Sequence, residues 1–169
     1  MNYPQELNPS SHEKFLFSTG KTITVPKATP QFEMWVGETP KDSYGGKAFL
    51  NFGEPLFAEL GVLRHFQNAG WNGVWVNTYG RQFLTDWTPR KNIELPEKAR
   101  ALYDEICNAG KSKAGCWDVF CWKNNDIVFA ELKRRANDKI RNTQINWLEA
   151  ALKCGLEPES FLVVEWTLV

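Results

Sequence analysis

A chain of 169 residues with 43% hydrophobic content holds enough apolar side chains for one real core and at most a small appended lobe. Its 20 Lys and Arg balance 20 Asp and Glu, so net charge gives no general pull toward nucleic acid or membrane, although a basic face can sit opposite an acidic one. The four cysteines, Cys107, Cys116, Cys121 and Cys154, lack C-x-x-C spacing and His12 and His65 lie far apart, which argues against zinc. No run approaches the roughly 18 apolar residues of a membrane span and the N-terminus lacks a signal pattern. The expectation is an intracellular, cytoplasmic protein with reduced thiols and no membrane partner.

In residues 1–53, turn formers ("NPSS", "STGK", "KATP", "GETPKDSYGG") surround short aromatic runs such as "KFLF", "TITV" and "FEMWV", predicting a β-rich extension of short strands and turns. That extension could serve as a homodimerisation arm, a DNA clamp or a cap. From residue 54 to 169 the pattern is that of a core domain. Leu56, Leu60, Leu63 and Phe66 recur at helical spacing, with Pro55 near the start and Gly70 closing the run. "GVWVNTY" at 73–79 reads as a strand, the segment after it as an ordered loop, and "LPEKARALYDEICNAG" at 95–110 as a second helix. Two strands then flank "KNND", a helix runs from about Asn137 to Lys153, and "SFLVVEWTLV" supplies a last strand. The alternation predicts an α/β fold with a mixed central sheet flanked by helices.

The two strands around "KNND" carry charges inside apolar runs. With either an even-length loop at 123–126 or an Asn124-Asn125 turn, Trp122 opposes Ile127 and Asp118 opposes Glu131, with Lys133 two residues further on the same face. Phe120, Trp122, Ile127 and Phe129 share the acid side, and Trp117, Val119, Val128, Ala130 and Leu132 take the other, so the hairpin is interior. Like charges directly opposed across strands are destabilising. The plain alternative is a solvated strand end with Lys133 as counter-charge. Interior paired carboxylates are better explained by a divalent cation, and oxygen ligands without histidine suit Mg²⁺ or Mn²⁺.

Asp118 followed by Glu131-Leu132-Lys133 after a hairpin resembles the D…(D/E)-x-K signature of the PD-(D/E)xK nuclease superfamily, with Trp117 where the eponymous proline would stand. The subsequent "RRANDKIRNTQINWLEAALKCG" is similar to VRR-type nuclease domains. The resemblance covers about residues 54–169. It implies a restriction-endonuclease-like αβββαβ core and a Mg²⁺- or Mn²⁺-dependent deoxyribonuclease, an endonuclease acting on a particular DNA structure or end. It further implies Glu59, with Glu54 as competitor, as a glutamate on the first helix. Asp118, Glu131 and the Leu132 carbonyl would join Glu59 as metal ligands. Lys133 would orient the attacking water, and Gln144 would be a site residue. Gln144 lies on the apolar stripe of Ile140, Trp147, Leu148 and Ala151, where an amide needs a polar target; a satisfied interface glutamine is the alternative.

Basic residues cluster near the acids in sequence: Lys111, Lys113, Arg134, Arg135, Lys139 and Arg141 are candidates for tracking a phosphate backbone, against the plain reading of a solvated face. Trp71, Trp75, Tyr79 and Trp87 read as core packing, with base stacking by Trp87 the lesser alternative. Three readings remain: a DNA-cutting enzyme, a nuclease-fold module that binds nucleic acid or a protein partner without cutting, and an α/β binding protein of another ligand, which the two acids lying on opposite faces would support. Retention of Asp118, Glu131 and Lys133 together favours the enzyme.

Overall fold

The structure, a computed structural model, describes residues 1–41 and 45–169. Its N-terminal part contributes β1 (Ser11–Leu16), β2 (Thr22–Ala28), β3 (Gln31–Phe32), β4 (Leu50–Asn51) and β5 (Pro55–Leu56). There follow α1 (Ala58–Asn68), β6 (Asn72–Asn77), β7 (Gln82–Leu84), α2 (Glu97–Gly110), β8 (Val119–Lys123), β9 (Asp126–Arg134), α3 (Asn142–Lys153) and β10 (Phe161–Leu168). The main sheet runs β1-β2-β10-β9-β8-β6-β7, with β3 also pairing β10, and β4 and β5 form a separate two-stranded ribbon. The β6-β8 and β8-β9 pairs are antiparallel, whereas β10 lies parallel to β9 and to β2. This is the mixed sheet with flanking helices that the alternation predicts. β1, β2 and β3 extend the same sheet through β2 and β10, so these N-terminal strands and the later ones share one hydrogen-bonded surface.

Each sheet face carries its own core. On the α1 side Val119, Cys121, Val128, Ala130, Leu162 and Val164 pack with Leu60, Leu63 and Phe66, all buried. On the other, Phe120, Phe129 and Phe161 stack beneath Ile106 of α2 and Trp147 and Leu148 of α3. A central hairpin with large buried side chains on both faces has no solvent side on which to park a charge. Three of the four cysteines are likewise buried, and all four are free thiols. Among the described residues no helix is long and apolar enough to cross a membrane.

Several element boundaries differ from the sequence reading. The first helix begins at Ala58, because Pro55 is spent on β5. Gln82–Leu84 forms a short strand inside the expected loop by pairing with β6. The last helix starts at Asn142 and not near Asn137, since Ala136 takes a left-handed φ of 64° and Asp138 turns back to accept the Arg134 N–H at 3.0 Å. Trp117 lies with Phe15 and Phe161 on the α2/α3 face and not with Val119, because β8 starts two residues later and strict alternation stops at Asp118.

Candidate active site at the open end of the central hairpin

The hairpin register is the one the turn dictates. Lys123 opposes Asp126, Trp122 opposes Ile127 and Val119 opposes Ala130, around an Asn124-Asn125 turn in which Asn124 adopts φ 55°. Extending the ladder brings Asp118 to the level of Glu131, but β8 ends one residue short. The Asp118 carboxylate reaches across to accept the Leu132 backbone N–H at 2.9 Å. The opening of the two strands thus leaves two acids at one sheet end with little ladder between them.

Four separate elements meet there. Glu59 comes from the first turn of α1, Asp118 from the approach to β8, Glu131, Leu132 and Lys133 from β9, and Gln144 from the first turn of α3. All six line one cleft of about 520 Å³, together with Lys47, Arg134, Arg141 and Thr143. Glu131 is 1% exposed. Its Oε1 accepts from the Lys133 ammonium at 2.7 Å and from the Gln144 amide, while Oε2 is buried without any hydrogen-bond partner. Gln144 Oε1 in turn accepts the Arg141 backbone N–H at 2.8 Å and faces Lys133 Nζ at 3.4 Å. The amide on the apolar stripe therefore has a polar target, and it also closes the N-terminus of α3.

The competition between two glutamates resolves by position. Glu54 is 53% exposed and pairs with Arg64 at 3.3 Å, away from the cleft, whereas Glu59 is 14% exposed and lines it. Glu59 is held by Lys47, a residue of the segment before β4 that sequence reasoning did not single out. Nothing local marks Lys47 among the surrounding glycines and turn formers. Only the fold, which lays residues 45–51 beside α1, brings its ammonium to the acids.

The basic candidates divide. Arg134 and Arg141 line the cleft, with the Arg134 guanidinium 5.6 Å from the Trp166 ring. Lys113 lines a second groove that adjoins the cleft. Lys139 faces a different depression with Glu13 and Lys14, Arg135 is exposed 4.0 Å from Glu165, and Lys111 is the exposed C-cap of α2. Among the aromatics, Trp71, Trp75 and Trp87 are core side chains, and Trp87 packs on Phe57 at 5.0 Å; Tyr79 is exposed.

Gly115 sets the distance between the Asp118 approach and α3. It takes φ 91°, and a Cβ there would overlap the Thr143 carbonyl, so any other residue would both strain the backbone and push α3 with Gln144 away from Glu131.

The electrostatics follow from this crowding. Burial, then the negative charge of Glu59, pushes the Asp118 carboxyl up to about 6, against the pull of the Leu132 N–H, Lys133 and Lys47. Burial, then Asp118, raises Glu131 well above the usual carboxylate range despite Lys133 and Gln144. Both acids thus hold their protons to higher pH than free carboxyls do, because burial and a neighbouring acid outweigh the pull of the nearby ammonium and N–H groups. An unpartnered, buried carboxylate oxygen beside a second acid, in a set of oxygen donors without histidine or cysteine thiolate, fits a hard divalent cation. Among the described residues no three His, Cys, Asp or Glu side chains form an assembled metal cage, since Glu59 leans on Lys47 and Glu131 on Lys133. Compared with protein-family models, curated proteins and solved structures, the chain matches none.

Proposed function

We propose that this chain is a phosphodiesterase that uses Mg²⁺ or Mn²⁺, and within that class a deoxyribonuclease with an αβββαβ core of the PD-(D/E)xK kind. The reading rests on one observation: Glu59, Asp118, Glu131, Lys133 and Gln144, spread over 86 residues of sequence and four elements, line a single cleft. The core would consist of α1, β6, β8, β9, α3 and β10, with α2 as an insertion between its first two strands.

Asp118, Glu131 and Glu59, with the Leu132 carbonyl, would hold the cation. Once bound, it would polarise the phosphoryl oxygens and lower the pKa of a coordinated water. Lys133, fixed by Glu131 and Gln144, presents an ammonium at the mouth of the acid pair, where it can orient a water and offset charge developing on the phosphate. Gln144 donates to Glu131 and accepts from Lys133, so it fixes the two relative to each other. Lys47 adds a second ammonium from the opposite wall. Arg134 and Arg141 supply phosphate contacts that position a strand without reading its sequence.

The existing Lys47–Glu59 and Lys133–Glu131 pairs favour a second reading, a module that binds nucleic acid and does not cut, because ammonium groups already offset the acids. Incubation with labelled single-stranded, duplex, flap and four-way DNA in Mg²⁺, Mn²⁺ or EDTA separates the two. Metal-dependent cleavage lost in Lys133→Ala, with binding retained, supports the enzyme. Binding without cleavage in either metal supports the module, and cleavage that survives in Lys133→Ala overturns the mechanism.

A further inference from the structure

The cleft does not end at Asp118. A second groove of about 1000 Å³ continues from it, sharing Thr78, Gly115, Arg141 and Thr143. Among the described residues its cations are Arg81, Arg100, Lys113 and Arg141, and its only acid is Asp104. Its floor is apolar, made by the buried Val76, Phe83 and Tyr103, with Phe83 and Tyr103 edge to face at 5.1 Å and the Arg100 guanidinium 5.1 Å from the Phe83 ring. Tyr79 stands at the rim and is 94% exposed. Its ring faces are uncovered, and the turn that presents it is shaped by Asn77, almost fully buried, which accepts the Gly80 N–H at 3.2 Å, and by Arg81 at φ 52°.

Cations along the edge of a groove suit a chain of phosphates, and an apolar floor with an open aromatic suits bases whose faces are free. A duplex satisfies only the first requirement, because its bases are stacked on one another. We propose that this groove is a subsite for single-stranded DNA, which runs along Arg81, Arg100, Lys113 and Arg141 into the cleft and stacks a base on Tyr79. The inference deepens the nuclease reading and rests on it for the direction of the strand. It makes the substrate one with an unpaired segment next to the scissile phosphate.

The test is fluorescence anisotropy with a labelled mixed-sequence single strand and its blunt duplex, in EDTA so that no cleavage intervenes. Tyr79→Ala should weaken single-strand binding by about tenfold, within the range for loss of one stacked base, and change duplex binding less than about twofold. Arg81→Ala should lower the salt dependence of single-strand binding by about 0.7 in the log–log slope. Both side chains are exposed, and unchanged melting temperatures confirm that the variants fold. Equal losses on single strand and duplex, no loss in either variant, or no single-strand binding by the wild type would overturn the subsite. Cleavage by the wild type with groove variants that bind normally removes the subsite and leaves the nuclease. Groove-dependent single-strand binding without cleavage in Mg²⁺ or Mn²⁺ does the reverse.

Discussion

The two ends of the β8–β9 hairpin are built from the same strands under opposite rules. At the turn end, Lys123 opposes Asp126, a pair of opposite sign, Asp126 is exposed, and the Lys123 ammonium caps the Ala69 carbonyl at the end of α1 at 2.7 Å. At the open end, two buried acids influence each other in one cleft, and one carboxylate oxygen has no partner. Between them, Val119, Phe120, Cys121, Val128, Phe129 and Ala130 are all essentially inaccessible. The middle of the hairpin provides the stability that lets the open end keep an arrangement no folding requirement would select.

On the proposed nuclease reading, substitutions at one acid of each end should separate the two ends most visibly in catalysis. Glu131→Gln is expected to reduce metal-dependent cleavage by about a hundredfold or more, the scale on which single preorganised electrostatic groups act. Asp126→Asn at the turn end should leave the rate within about twofold. Single-turnover cleavage of a flap substrate by the two variants measures the contrast, and similar rates would remove it.

The next largest effect is on stability and its pH dependence. Because the folded protein holds the Asp118 proton up to about 6, while an unfolded aspartate releases it near 4, folding takes up a proton between those values. The Asp118 contribution to stability is therefore neutral below about pH 4, declines as pH rises toward 6, and stays unfavourable above. Asp118→Asn keeps an acceptor for the Leu132 N–H and removes the charge. In EDTA at pH 7.5 it should stabilise the protein by about 1–3 kcal/mol, the equivalent of the shift discounted for partial exposure. At pH 4 the gain should vanish. Urea denaturation at the two pH values measures both, and a gain at pH 4 that matches the one at pH 7.5 would contradict the burial argument.

The smallest effect belongs to the turn end. Asp126→Asn should change stability by no more than about 0.5 kcal/mol, as expected for a solvated position without a buried partner. A loss of several kcal/mol in the same denaturation experiment would show that the two ends are not as different as their burial suggests.

The contrast between the ends was legible in the residues themselves, because a two-residue Asn-Asn turn sets the parity of every pair in the hairpin and apolar runs on both faces declare it interior. Gln144 was legible for a similar reason: an amide on an apolar helical stripe demands a target, and Glu131 is that target. Trp117 was misplaced because periodicity assumes that a strand continues, and this one stops at Asp118. The start of α3 was set too early because "RRANDKIR" carries no apolar period, and its outcome depends on Asp138 folding back to Arg134. Lys47, Arg81 and Arg100 carry no signal that sequence spacing could reveal. Their place beside the acids or in the adjoining groove comes from tertiary packing, which positions residues 45–51 against α1 and the β6–β7 turn across from α2.

The most direct measurement on the open end is thermal denaturation of wild type and Asp118→Asn with Mn²⁺ added after EDTA treatment and dialysis. Only the folded chain brings Glu59, Asp118 and Glu131 to one cleft, so bound cation should stabilise it by mass action, by roughly 2.7 kcal/mol at a hundredfold excess over Kd. The account predicts a clear rise in wild-type melting temperature with Mn²⁺ and a much smaller rise in Asp118→Asn, which starts from the higher metal-free value. Equal rises in both proteins, or an Asn variant that is less stable than wild type without metal and responds fully when it is added, would contradict a shared cation site at these two acids.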